Sequence, residues 1–99
     1  MQAADYFEQA LEADPTHAGA HNNLGFALRA LNRFEEAKDH FRHACALRPN
    51  FAEANYNLGL SLRTLGQAVE AAEQFHITLK LRPTFNQALH ALNEIEGKY

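Results

Sequence analysis

Cysteine is nearly absent from this chain of 99 residues: Cys45 stands alone, so no internal disulfide can form and the fold owes nothing to oxidation. Long hydrophobic runs are missing too. No apolar stretch approaches the roughly 18–20 residues needed to cross a bilayer, and no membrane partner is expected. Neither sign of charge dominates. Nine Lys and Arg face twelve Asp and Glu, a net of −3 without a long run of either. Attraction to phosphate backbones or acidic membranes is therefore not expected, and neither is a nucleic-acid partner. The opening residues, Met1-Gln2-Ala3-Ala4-Asp5, lack the basic and apolar segments of a signal peptide, which favours a cytoplasmic setting.

Proline is scarce, and its placement is informative. Pro15, Pro49 and Pro83 stand 34 residues apart. Residues 18–51 laid on 52–85 at that offset, without a gap, agree at 15 of 34 positions. The agreements include Leu24/Leu58, Gly25/Gly59, Leu28/Leu62, Ala37/Ala71, Phe41/Phe75 and Leu47/Leu81. An internal repeat of this length points to stacked helical units. Residues 1–17 align on 35–51 as the second half of an earlier unit, and 86–99 align more weakly on 52–65 as a closing, capping helix.

Each unit reads as two helices. Ala20, Leu24, Leu28 and Leu31 make one apolar stripe; Phe34, Ala37, Phe41, Ala44, Cys45 and Leu47 make the next. Asn32 and Gly66 between them tolerate the left-handed conformation that closes a helix, and each proline stops the second helix. Asn50-x-x-Glu53 and Thr84-x-x-Gln87 have capping-box spacing, and Thr16 is a candidate cap for the first full unit. The pattern predicts an all-α architecture of six helices near 2–13, 17–31, 34–47, 51–65, 68–81 and 85–96. Gly25 and Gly59, mid-helix, imply close approach by the partner helix, with Ala37 and Ala71 as the expected facing residues.

Gly25, Ala37, Phe41 and Pro49 in one unit, and Gly59, Ala71, Phe75 and Pro83 in the next, fall at positions 8, 20, 24 and 32. In this set and period the chain resembles the tetratricopeptide repeat (TPR) family. The resemblance implies a right-handed superhelix of antiparallel helix pairs forming one domain over 1–99. Its first helices would line a concave groove that holds a peptide or partner helix. Departures occur at His21 and Asn55, where the family often has a bulky apolar residue, at Ala68 and at Thr78. They suggest looser packing of the second unit. Asn93 replaces the small eighth residue in the last helix.

The same geometry places Asn22, Asn23, Phe26 and Arg29 on the groove side of the first unit. Glu53, Tyr56, Asn57, Leu60 and Arg63 follow in the second, and His90 in the last helix. Asn23 and Asn57 are equivalent, and an asparagine amide offers both donor and acceptor to an extended peptide backbone. Their arrangement locally resembles the asparagine ladder in the repeats of O-linked N-acetylglucosamine transferase; bonding between neighbouring helices is the competing role. Arg29 and Arg63 could fork onto a carboxylate, while Phe26, Tyr56 and Leu60 offer apolar anchors. The carboxylate clamp that holds chaperone tails is not matched, because Asn22 stands at its first lysine and Phe26 at its first asparagine.

Six histidines raise the question of a metal, with His17 and His21 at i,i+4 and His40 and His43 at i,i+3. Zinc needs three or four converging ligands, and no finger spacing is present. Surface or packing roles are therefore expected for the histidines, with no metal site and no cofactor. Cys45 falls on a buried stripe, and no motif unites nucleophile, base and oxyanion donors, so an enzyme is not expected. The expected function is a protein-interaction scaffold for a protein or peptide ligand. The alternatives are self-assembly through the terminal helices, with a monomer or weak homo-oligomer expected, and the recognition arm of a larger enzyme.

Overall fold

The apolar stripes become six helices in the computed structural model, which describes residues 2–97. They are α1 (Ala3–Ala13), α2 (Ala18–Ala30), α3 (Phe34–Leu47), α4 (Ala52–Thr64), α5 (Ala68–Leu81) and α6 (Asn86–Glu96), with no strand among the described residues. Every boundary lies within one residue of expectation. Residue 1 of the expected opening half-unit and residues 98 and 99 of the closing one lie outside the described residues.

Each helix packs on the next, and α2 also touches α4 across the intervening α3. The stack is elongated, 43 × 25 × 18 Å. One continuous core runs through it, from Ala4 through Leu24, Leu28 and Phe41 to Leu58, Leu62, Phe75 and Leu92. Burying a leucine or phenylalanine side chain contributes about 1.5–3 kcal/mol, so this row is the main source of stability. Leu31 and Leu47, the last members of their stripes, are exposed instead, because each stands at or beside a helix end.

The punctuation residues act largely as their chemistry dictates. Asn32 and Gly66 take positive φ, 62° and 80°, and close α2 and α4. The capping boxes do not form. Phe51 and Phe85 occupy the N-cap positions without a side-chain cap, and Glu53 pairs with Arg82. Thr16 does not cap α2 either: its hydroxyl and amide donate to Asp14 Oδ1 at 2.7 and 3.1 Å. The cap is His17, whose Nδ1 accepts from the Ala20 amide at 2.9 Å.

Gly25 and Gly59 do permit close approach, and the nearest atoms across the interface are not those of Ala37 and Ala71. The rings of Phe41 and Phe75 occupy that space. Two of the departures leave the core of the second unit closed, while Ala68 is exposed where its equivalent Phe34 is half-buried. Asn55 is buried with its Nδ2 donating to Phe51 O at 3.0 Å, and buried Thr78 donates to Gln74 O at 2.8 Å. Both polar side chains thus enter the core with their hydrogen bonds satisfied.

Candidate partner-binding groove

Side chains of the first helices line two separate cavities. One, of about 480 Å³, lies between α1 and α2 and is lined by Phe7, Asn23, Phe26, Ala27, Ala30 and Leu31 together with residues 2–4. The other, of about 330 Å³, lies between α4 and α6 and is lined by Tyr56, Arg63, Asn86, Gln87, His90, Ala91 and Glu94. Asn23 and Phe26 therefore share the first cavity, and Tyr56, Arg63 and His90 the second.

The two asparagines of the expected ladder are not alike. Asn23 is exposed, whereas Asn57 is half-buried and its Nδ2 donates to Asn22 Oδ1 at 3.0 Å. That bond ties α2 to α4. It occupies one amide hydrogen of Asn57 and leaves a second hydrogen and the carbonyl oxygen available. Asn57 and Asn22 therefore serve the stack as well as the cleft.

Arg29 places its guanidinium 5.2 Å from the Phe26 ring centroid. Its Nη1 is buried with no hydrogen-bond partner among the described residues. Burial lowers its pKa from the ordinary guanidinium value, and nearby Tyr56 acts in the opposite sense. A buried donor left without an acceptor costs about 1–3 kcal/mol, more for a charged group. The site is thus short of one acceptor oxygen.

The remaining predicted residues are engaged within the chain. Tyr56 packs its ring 4.9 Å from Phe85 and 5.9 Å from Phe75, and Leu60 is half-buried against the core. Glu53 accepts from Arg82 Nη2 at 2.6 Å; its own backbone amide, and then Arg82, hold it below the usual carboxylate range. Arg63 Nη1 lies 3.9 Å from Glu94, and the exposed His90 lies 2.7 Å from the same carboxylate. Glu94 thus offsets the positive charge of the second cavity, while Arg29 has no ion pair among the described residues.

A second cluster was not legible from spacing. Spacing pairs His17 with His21 along one helix, and the structure instead brings His21 of α2 against His40 and His43 of α3. Their candidate ligand atoms lie within 4.8 Å of one another. The expectation of surface or packing roles rested on spacing along the chain, and these three residues come together across two helices. His40 is held below its usual pKa by burial, then by the neighbouring His21 and His43, with Asp39 and Glu36 opposing. Only the i,i+3 spacing of His40 and His43 hinted at a shared face; the third member needed the pairing of the helices.

Comparison with known proteins gives two family matches: one described as TPR repeat over residues 27–66, the other as tetratricopeptide repeat over 6–39. No curated protein matches the sequence. Among solved structures, MamA superposes with a TM-score of 0.91 at 28% identity; 95% of this chain corresponds to 56% of that one. The second TPR domain of the human RPAP3 protein, solved in complex with the HSP70 peptide SGPTIEEVD, gives 0.89 at 26% identity over 94% of this chain and 78% of its own. An O-GlcNAc transferase from Thermobaculum terrenum gives 0.88 at 28% identity, over 93% of this chain and 18% of the enzyme.

Proposed function

The chain belongs to the tetratricopeptide-repeat family, and from that footing we propose that it is a protein-interaction scaffold holding an extended partner segment along α2, α4 and α6. Residues 18–51 and 52–85 are read as full repeats, 1–17 as the second half of a repeat, and 86–99 as a capping helix. The TPR fold is typically a non-catalytic interaction module, and the RPAP3 domain similar to this chain was solved with a bound peptide.

The observation that carries the reading is Arg29. Its Nη1 is buried with no hydrogen-bond partner among the described residues, and its guanidinium lies over the ring of Phe26, which lines the apolar cavity. A peptide carbonyl or carboxylate would supply an acceptor, with an apolar side chain seated beside Phe26 and Phe7. Asn23 and the free valences of Asn57 would hold the peptide backbone. An acidic chaperone tail is a poor fit, because Asn22 is tied to Asn57 and Phe26 offers no polar group.

Selection of peptides from a random library, followed by amide chemical-shift mapping of the best binder, tests this. The expected result is perturbation concentrated at Asn23, Phe26, Arg29, Tyr56 and Asn57, with affinity falling at least about tenfold in Arg29→Gln, since truncating one partner of a buried charge-assisted bond costs 2–5 kcal/mol or more. Perturbation confined to α3 and α5 would overturn the proposal.

A further inference from the structure

We propose that His21, His40 and His43 form a binding site for a divalent transition-metal ion of the zinc class, clamping α2 to α3. The three rings meet at the interface of the first full helix pair, with candidate ligand atoms within 4.8 Å of each other. The site shares no residue with the groove.

Two of the three ligands already stand near the spacing that a bound ion requires. His21 Nδ1 and His40 Nδ1 stand 3.1 Å apart. With zinc–nitrogen bonds of about 2.0–2.1 Å, two ligands on a tetrahedral ion are separated by about 3.3 Å. His21 is buried, and its Nε2 lies 2.9 Å from Pro15 O. A carbonyl only accepts, so Nε2 carries the hydrogen and Nδ1 turns its lone pair toward the other two rings. This imidazole-to-carbonyl bond is the outer contact that orients metal-binding histidines. Without an ion, the short Nδ1–Nδ1 contact requires His40 to donate from Nδ1. Coordination at that atom moves the proton to Nε2, with no net release from the neutral ring.

His43 completes the set from the solvent side. It is exposed, one turn from His40, with its ring centroid 5.1 Å from that of His21. An ion can therefore enter past His43, and a water or an outside donor can occupy a fourth position. Imidazole nitrogens suit zinc, copper and nickel rather than calcium or magnesium.

The second repeat supplies the internal control. At the equivalent positions it carries Asn55, Gln74 and Ile77, which gather around one cavity of about 390 Å³. The fold thus brings these three positions together in both units without needing histidine at any of them. Histidine at all three in one unit is a matter of chemistry rather than packing.

Tag-free protein stripped with a chelator is titrated with zinc by calorimetry and with cobalt by visible absorption. One equivalent is expected to bind, the thermal midpoint to rise with metal, and the ring resonances of His21, His40 and His43 to shift together. His21→Asn, His40→Gln and His43→Ile, the second repeat's own residues, are expected to lose at least about tenfold in affinity while the helical circular dichroism is retained. His76→Ala and His90→Ala are expected to bind as the parent does. Absence of stoichiometric binding, or undiminished affinity in the exposed-site variant His43→Ala, would overturn the proposal.

Discussion

Phe41 lies so close over Gly25 that a Cβ added to the glycine would fall 2.6 Å from Phe41 Cε1. Gly59 and Phe75 reproduce the approach at 2.6 Å in the next repeat. Both rings are fully buried, so neither can swing aside. Alanine in a helix regains about 1 kcal/mol of propensity over glycine. Overpacking a filled core costs about 1–3 kcal/mol. Gly25→Ala and Gly59→Ala are therefore expected to lower the thermal midpoint, and Phe41→Leu to recover part of the loss in Gly25→Ala. A midpoint that rises in the single alanine variants would contradict this packing.

The Asn22–Asn57 bond separates stability from binding. Asn57→Ala removes a part-buried hydrogen bond and is expected to cost about 0.5–1.5 kcal/mol in urea unfolding. Asn23→Ala alters an exposed side chain and is expected to stay within about 0.5 kcal/mol of the parent. Selected peptides should nevertheless bind more weakly to Asn23→Ala. Equal unfolding curves for the two variants would show that the cross-helix bond contributes nothing.

Cys45 is inert in the folded chain. Burial pushes its pKa from 9.0 up to about 11, so the thiolate that alkylating reagents require is scarce near neutrality. Iodoacetamide at pH 8 is expected to label the folded protein far more slowly than the urea-unfolded one. The sign for stability follows: the unfolded thiol ionises first, so stability falls as pH rises from about 9 toward 11. Cys45→Ala should flatten that alkaline decline; an unchanged decline would assign it to other groups.

Glu53 and Arg82 join the start of α4 to the end of α5 at 2.6 Å. Glu53 is held below its ordinary value, so its contribution is present above about pH 4.5 and lost as the pH falls through its folded value. Both groups are well exposed, and such pairs contribute about 0–1 kcal/mol, less at high salt. Glu53→Gln is expected to make the acid limb of the stability curve slightly shallower at low ionic strength. No difference at low salt would show that solvent already screens the pair.

Helix number, helix bounds and the family were legible in the chain itself. They rest on local facts: apolar stripes at helical spacing, Asn32 and Gly66 where the backbone turns left-handed, and prolines at a fixed interval. Which side chains meet across helices was less legible. The Phe41 ring comes nearer to Gly25 than Ala37 does, because it reaches over the glycine from one turn away. Asn57 reaches Asn22 rather than standing free beside its equivalent Asn23, because α2 and α4 lie side by side in the stack.

The sequence by itself determined a repeating helical stack and its family. Periodicity is a property of one segment, and it survives without knowing the partner. Only the tertiary structure decided that Arg29 Nη1 is buried without an acceptor among the described residues, and that His21 joins His40 and His43 from another helix. Those relationships depend on the angle and register at which helices pack, which one helix does not encode.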